Sequence, residues 1–181
     1  ENKVSLAKKP FFSSERIKKE LKLAKEKGVK LIEFRCAALN ILPNFKEIVQ
    51  VIKEVNSNRS MLLGFELMAE LVNEDTANLL KECNVKFCEV GLQSTNPQVL
   101  ANIDRVNNLQ KFLEGVKLLK DKRLKLAIDI ILGLPGDTLD TFKETLNFLK
   151  ENQLISDVIF PTILSVGPAT AIRKEAKRFG L

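Results

Sequence analysis

Two hydrophobic periods alternate along this chain of 181 residues, and that alternation constrains the fold more than any other feature. Ser13-Ser14-Glu15-Arg16 opens a stretch in which Ile17, Leu21 and Ala24 form one stripe at helical spacing, and Gly28 closes it as a helix terminator does. A short strand-like run follows at 29–34. The same pair of patterns then recurs, with helices predicted over 44–55, 73–81, 108–120, 139–150 and 169–178 and strands over 61–68, 85–92, 124–132 and 157–165. Asn73, or Asp75 a little later, supplies the cap for the third of these helices.

Five strands and six helices in strict alternation require parallel strands with helices packed outside, because each crossover spans a dozen or more residues. No proline- or glycine-rich linker interrupts the series, so a single domain over residues 1–181 is expected, long enough to bury a core. The pattern leaves open whether the sheet curls into a barrel or lies flat.

Composition then removes several chemistries. There is no histidine, which excludes His-ligated metal, Ser-His and Cys-His nucleophile pairs and a histidine base. A hydrophobic share of 45% and a charged share of 29% fit a soluble globular protein. The longest apolar run, 126–134, is interrupted by Asp129 and is too short to span a bilayer, so no membrane partner is expected. No signal-peptide pattern is visible, and an opening Glu1 in place of Met suggests a processed chain or an excised fragment. Cys36, Cys83 and Cys88 are odd in number and lack framework spacing, which points to a reducing, cytoplasmic setting. The net charge of +6 comes from lysines scattered over helical stretches, a solvated surface rather than a nucleic-acid site.

In parallel α/β architectures ligands bind where the strands end, at their C-terminal side. Four places qualify. Asp129 stands in the apolar run Ala127-Ile128-Asp129-Ile130-Ile131-Leu132. Parallel strands are covered on both faces, so its charge is expected to be paired or ligand-bound rather than simply outward-facing. Glu66, between Phe65 and Leu67, repeats the problem two strands earlier in the pattern. Gln93 closes the third strand before Ser94-Thr95-Asn96-Pro97; a capped turn accounts for the latter four but leaves the amide unexplained. Gly133 opens the turn Gly133-Leu134-Pro135-Gly136-Asp137-Thr138, where backbone can approach a ligand and Thr138 can cap the next helix. An ordinary βα turn explains that segment equally well, and it is neither a dinucleotide fingerprint nor a P-loop.

Taken together, Phe87-Cys88-Glu89-Val90-Gly91-Leu92-Gln93-Ser94-Thr95-Asn96-Pro97, Ile103-Asp104-Arg105 and Ile128-Asp129-Ile130-Ile131-Leu132-Gly133-Leu134-Pro135-Gly136-Asp137-Thr138 closely resemble radical SAM enzymes. The branch is the one that includes coproporphyrinogen dehydrogenase and the cobalamin-binding radical SAM proteins. Ser14-Glu15-Arg16-Ile17 resembles its first barrel helix, and Pro168-Ala169-Thr170 its closing segment, so the resemblance covers nearly the whole chain.

The resemblance implies an α/β fold, a partial (β/α)6 TIM-like barrel with five strands here and the first expected before Glu1. It implies S-adenosylmethionine at the barrel mouth, cleaved by an electron from a 4Fe-4S cluster on a CxxxCxxC loop to give a 5′-deoxyadenosyl radical. An electron donor such as reduced flavodoxin or ferredoxin goes with that chemistry, and cobalamin in a separate domain with the branch. By position, Gln93 and Asp129 are implied as ribose ligands, Arg105 as the partner of the methionyl carboxylate and Glu66 as a support at the same end. Ile131, Leu132 and backbone near 166–170 fall toward the adenine, and Gly133 is counted with the cofactor-binding residues. The chemistry of the residue types agrees, since arginine forks onto carboxylates and an ionised aspartate accepts from two hydroxyls.

The chain departs from the family at the cluster. If Glu1 followed a first cysteine, the remaining two slots would fall on Val4 and Ala7, and the first cysteine in the chain is Cys36. Cys36 itself stands where the branch carries an acidic residue. With Cys83 and Cys88 it reads as a small buried hydrophobe, so no metal ligand and no catalytic residue is assigned. Two function classes follow: an enzyme core whose cluster loop is altered or absent here, and a cluster-less barrel serving as a nucleoside-binding or scaffold module. The substrate cannot be read from these residues.

Overall fold

The computed structural model describes residues 12–36, 38–155, 157–168 and 170–180. Five strands form one parallel sheet in chain order: β1 (Leu31–Phe34), β2 (Leu62–Leu67), β3 (Val85–Gln93), β4 (Lys125–Leu132) and β5 (Val158–Ile163). Between and around them lie α1 (Ser14–Glu26), α2 (Phe45–Val55), α3 (Glu74–Glu82), α4 (Pro97–Ala101), α5 (Leu109–Asp121), α6 (Leu139–Glu151) and α7 (Ala171–Lys174). A doubly wound sheet reverses its strand order at a switch point, and this one does not. Crossovers of one hand then place helices on one face and leave the other as the inside of an incomplete barrel.

Local chemistry sets the boundaries. Ser13, Asn73, Asn108 and Thr138 each accept a hydrogen bond from the backbone N–H three residues on, and the Thr138 N–H donates in turn to Thr141 Oγ1. Asn73, not Asp75, therefore opens α3. Two expectations are corrected. The segment after Gln93 is more than a capped turn: Asn96 caps the N–H groups of Gln98 and Val99, and Pro97 at the first position starts the short helix α4. The helix expected over 169–178 is the four-residue α7 followed by a separate 3-10 turn, Ala176–Phe179; Ala169 lies outside the described residues.

The core sits between sheet and helices. Leu63, Phe65 and Leu67 of β2, Cys88, Val90 and Leu92 of β3 and Leu126, Ile128 and Ile130 of β4 are buried in one cluster with Ile48 and Ile52 of α2, Leu80 of α3, Phe112, Val116 and Leu119 of α5 and Leu149 of α6. Each such side chain contributes about 1.5–3 kcal/mol by leaving water. Residues at the alternate positions, among them Glu66, Glu89, Gln93, Asp129 and Ile131, are only half-buried. The inner face is thus open where the functional candidates project.

Candidate functional site

Period-two alternation and parallel register put a row of carboxylates on the inner face. Glu66 pairs with Glu89 across β2 and β3, Glu33 of β1 pairs with Gly64 two positions below Glu66, and Asp129 of β4 pairs with Gly91 two positions above Glu89. Arg35, just past β1, gathers three of them: Nε donates to Glu33 Oε2 at 3.1 Å, and Nη1 donates to Glu66 Oε1 at 3.1 Å and to Glu89 Oε2 at 2.9 Å.

Asp129 receives no such donor. Burial, together with hydrogen bonding to the Glu89 carboxyl and the charges of Glu89 and Glu66, pushes its carboxyl up to about 7, against the pull of Arg35. The expectation of a charge covered on both faces is therefore corrected. Asp129 lies on the half-open face, and its neighbour is another acid with which it competes for a proton.

One layer above, the end of β3 bulges. The register shifts between Gly91 and Gln93, and Gln93 takes φ 66°, in the left-handed region. Its amide nitrogen folds back over Gly91 into space that a Cβ at residue 91 would occupy, so a side chain there would push the Gln93 amide aside. The Gln93 Oε1 is buried with no hydrogen-bond partner. Arg105, delivered to the same place by the turn after α4, donates from Nη2 to the Gly91 carbonyl at 2.6 Å and from Nε to Asn107 Oδ1 at 2.8 Å. Asn107 is fixed in turn by donating to the Leu92 carbonyl at 2.6 Å. Burial lowers the Arg105 pKa while the Glu70 charge opposes the shift. Glu70 sits in the 3-10 turn Ala69–Leu71 after β2, with both carboxylate oxygens buried and unpartnered.

Gly91 is thus the hub: Asp129 pairs with it across the sheet, and Gln93 and Arg105 lie against it. Ile131 follows two residues beyond Asp129 on the same face, half-buried opposite Thr162 of β5. Gly133 takes φ 76° with open space around it. Its N–H already donates to Asp137 Oδ2 at 3.0 Å, so the turn is held by its own cap and offers a ligand its exposed backbone surface rather than that donor. Asn102 ties the turn to α4 by donating to the Pro135 carbonyl at 2.9 Å.

The cysteines lie apart. Cys83 ends α3, buried, with Sγ donating to the Val49 carbonyl at 3.4 Å; Cys88 is buried on the helix-covered face of β3; Cys36 is half-buried past β1. Burial pushes the Cys83 and Cys88 thiols up to about 11 and about 12, and burial plus Glu66 raises that of Cys36. Among the described residues no three His, Cys, Asp or Glu side chains are grouped to hold a metal ion. Val4 and Ala7 lie outside the described residues. A cavity of about 500 Å3 between α1, β1 and α2 is lined mainly by apolar side chains, among them Ile17, Leu21, Ile32, Phe34, Leu39 and Ile48, and also by Glu20, Glu33, Arg35 and Cys36, so it meets the carboxylate row at Arg35.

Reading the sequence missed Arg35, Glu33, Glu89, Glu70 and Asn107. Glu33 and Glu89 carried the signal that marked Glu66, a charge at an alternate position of an apolar strand.

The radical SAM superfamily profile matches residues 5–149. A tRNA-2-methylthio-N(6)-dimethylallyladenosine synthase of Clostridium tetani is 30% identical over 122 residues, covering 65% of this chain and 26% of that protein. Its counterpart in Clostridium botulinum is 32% identical over 82 residues, 42% of this chain and 18% of that protein. The chain thus spans about a quarter or less of the length of these curated relatives. Among solved structures, the radical S-adenosylmethionine methyltransferase TsrM from Kitasatospora setae, with cobalamin and a 4Fe-4S cluster bound, superposes with a TM-score of 0.80 at 14% identity over 92% of this chain and 32% of that one. The coproporphyrinogen III oxidase HemN from Escherichia coli gives a TM-score of 0.71 at 15% identity over 90% of this chain and 40% of that one. These likenesses support the barrel-type reading of the open sheet.

Proposed function

Because the chain belongs to the radical SAM superfamily, we propose that it is a cofactor-binding core that holds S-adenosylmethionine at the C-terminal mouth of its sheet. The observation that carries this reading is the buried, unpartnered Oε1 of Gln93 beside the fixed guanidinium of Arg105 above Gly91. A buried acceptor without a donor is rare in a folded protein, and a ligand hydroxyl supplies one. Asp129 and Gln93 take the ribose hydroxyls, and Arg105 takes the methionyl carboxylate. Glu66 supports that end by holding Arg35 over the carboxylate row, and Ile131 with the backbone at Gly133 bounds the adenine.

In the family, a 4Fe-4S cluster and a donor such as reduced flavodoxin or ferredoxin supply the electron that cleaves the cofactor to methionine and a 5′-deoxyadenosyl radical. The residues present do not fit the cluster: Cys36, Cys83 and Cys88 lie on different elements, and two of the thiols are buried beneath helices. This reading therefore assigns to the described residues the organic side of the cofactor site. A reducing, cytoplasmic setting suits the three free thiols, and no helix of the described residues is long and apolar enough to cross a membrane. The scattered cysteines also favour a second reading, a nucleoside-binding module without a cluster.

Calorimetric titration with S-adenosylhomocysteine tests both readings. Binding that Asp129→Ala abolishes is the expected result. Absence of any nucleoside binding overturns the pocket. Anaerobic treatment with iron and sulfide then separates the two: uptake of a cluster with cleavage of S-adenosylmethionine supports the enzyme core, and binding without uptake supports the module.

A further inference from the structure

Lysines and arginines that are scattered along the sequence are sorted by the fold. Strands β1 to β4 are parallel and adjacent, so their first residues come together at the end of the sheet opposite the mouth. Each start carries a cation: Lys30 directly before β1, Arg59 shortly before β2, Lys86 in the second position of β3, and Arg123 and Lys125 at the start of β4. With neighbouring strands about 4.8 Å apart, the row runs for about 14 Å. All five residues are exposed, and among the described residues none is in an ion pair. Of the acids at this end, Glu54, Glu82 and Asp157 are held by other lysines, Lys18, Lys53 and Lys120, which leaves Glu26, Asp121 and Glu151 to oppose the row.

Helix electrostatics account for other lysines here but not for these. Lys25, Lys53, Lys81, Lys120 and Lys150 stand in the last turns of α1, α2, α3, α5 and α6, where a cation meets the negative end of a helix. The five of the row lie past the helices. Two of them also stand where arginine is disfavoured. The turns leading into the five strands pass through the left-handed region at Gly28 (φ 72°), Arg59 (φ 53°), Asn84 (φ 64°), Arg123 (φ 63°) and Gln153 (φ 56°), a conformation that suits a residue without Cβ. Hydrogen bonds pin both arginines there. The Arg59 N–H donates to the Asn56 carbonyl at 2.7 Å and its carbonyl accepts from Asn84 Nδ2 at 3.3 Å, while the Arg123 N–H donates to the Lys120 carbonyl at 2.8 Å.

A firm row of free cations is answered by a run of anions. The exposed apolar side chains at this end, Val29, Leu31 and Leu62, gather at the β1–β2 edge, so the cations of β3 and β4 lack the apolar centre of a protein interface. The exposed aromatic side chains among the described residues, Phe12 and Phe160, lie before α1 and within β5, away from the row, so single-stranded bases have no stacking platform beside it. A duplex needs neither, because it presents about one phosphate charge per 1.7 Å of its axis. We propose that this end of the sheet is a docking surface for the phosphate backbone of a double-stranded nucleic acid, held by Lys30, Arg59, Lys86, Arg123 and Lys125 without reading its bases. The surface lies at the opposite end of the strands from the mouth and does not depend on what binds there.

Fluorescence anisotropy with a labelled DNA duplex of about 20 base pairs and mixed sequence tests the proposal. The parent is expected to bind at low salt, with log affinity falling against log salt concentration at a slope between about −2 and −4.5, as two to five neutralised phosphates require. Arg59→Gly combined with Arg123→Gly is expected to weaken binding about tenfold or more and to flatten the slope by about 2. That variant is expected to melt no lower than the parent, because glycine suits both turns, so its loss of binding is not a loss of structure. Lys143→Gln, near the start of α6 at the mouth end, is expected to change the affinity by less than about twofold. If the glycine pair does not fold, Lys86→Gln combined with Lys125→Gln is expected to flatten the slope by the same amount. Absence of binding at low salt, a flat salt response, or equal weakening by Lys143→Gln overturns the proposal. Tighter binding of poly-L-glutamate of equal charge also overturns it and gives the surface to an acidic protein instead.

Discussion

Nucleoside binding should depend on pH through Asp129. Its carboxyl titrates near 7 in the folded protein, held up by burial, by hydrogen bonding to Glu89 and by the charges of Glu89 and Glu66, with Arg35 working against them and Glu33 engaged on the far side of Arg35. An ionised aspartate accepts from two ribose hydroxyls, whereas a protonated one has given up part of that capacity. If only the ionised form binds, the apparent Kd rises by a factor of 1 + 10^(7 − pH): about twofold at pH 7, about tenfold at pH 6 and about a hundredfold at pH 5. Binding at pH 7 should then release about half a proton. Calorimetry of S-adenosylhomocysteine binding in two buffers of different ionisation heat measures that release directly.

Glu89→Gln removes two of the causes that raise the Asp129 carboxyl, so the bend in the profile should move to lower pH. The apo protein must show the opposite sense. A carboxyl whose folded pKa lies above its unfolded value of about 3.9 contributes stability below that value and loses it as pH rises through about 7. Melting temperature should therefore fall across the interval in which binding tightens. A flat affinity profile between about pH 5 and 8, or a bend that Glu89→Gln leaves in place, would refute the role given to Asp129.

Three further outcomes follow from the geometry. Gly115→Ala places a methyl about 2.8 Å from the Ala69 carbonyl carbon and forces α5 away from the turn, so urea denaturation should show a loss of about 1–3 kcal/mol; a change under about 0.5 kcal/mol would contradict the packing. Asn56 is 3% exposed, donates to the Met61 carbonyl at 2.8 Å and accepts from the Met61 N–H at 3.0 Å; Asn56→Ala strands both groups and should lose about 2–3 kcal/mol in the same assay. Cys83 and Cys88, with thiols near 11 and 12, should resist a thiol-specific reagent at pH 8 in the native state, Cys36 reacting ahead of them, and immediate labelling of all three would show that the helix-covered face is open.

Elements were legible where the signal is local. The stripe Ile17, Leu21, Ala24, the caps at Ser13, Asn73, Asn108 and Thr138 and the apolar run of β4 need only neighbouring residues, and they mark real boundaries. Five-residue α4 escaped because one helical turn shows no period, although Asn96-Pro97 announced its start. Asp129 and Glu66 stood out as charges inside apolar strands, but what each touches did not. Arg35 reaches Glu66 and Glu89 across 31 and 54 residues of chain, and Glu70 owes its setting to Gly115 on a helix much later in the sequence. Such partners are made by the assembled sheet, and no local pattern contains them.

The strand order has a mechanical consequence. Glu66, Gln93 and Asp129 stand on β2, β3 and β4, each hydrogen-bonded to a neighbour on both sides, whereas among the described residues β1 and β5 are paired on one side only. Opening a central strand breaks two ladders and opening an edge strand breaks one, so amide exchange should be slowest in β3 and faster toward both edges. The groups assigned to the ligand ride on the stiffest part of the sheet. Any adjustment to an incoming molecule then falls to the edges, where Val158, Phe160 and Ile163 of β5 already stand exposed and can shift without disturbing the three strands between.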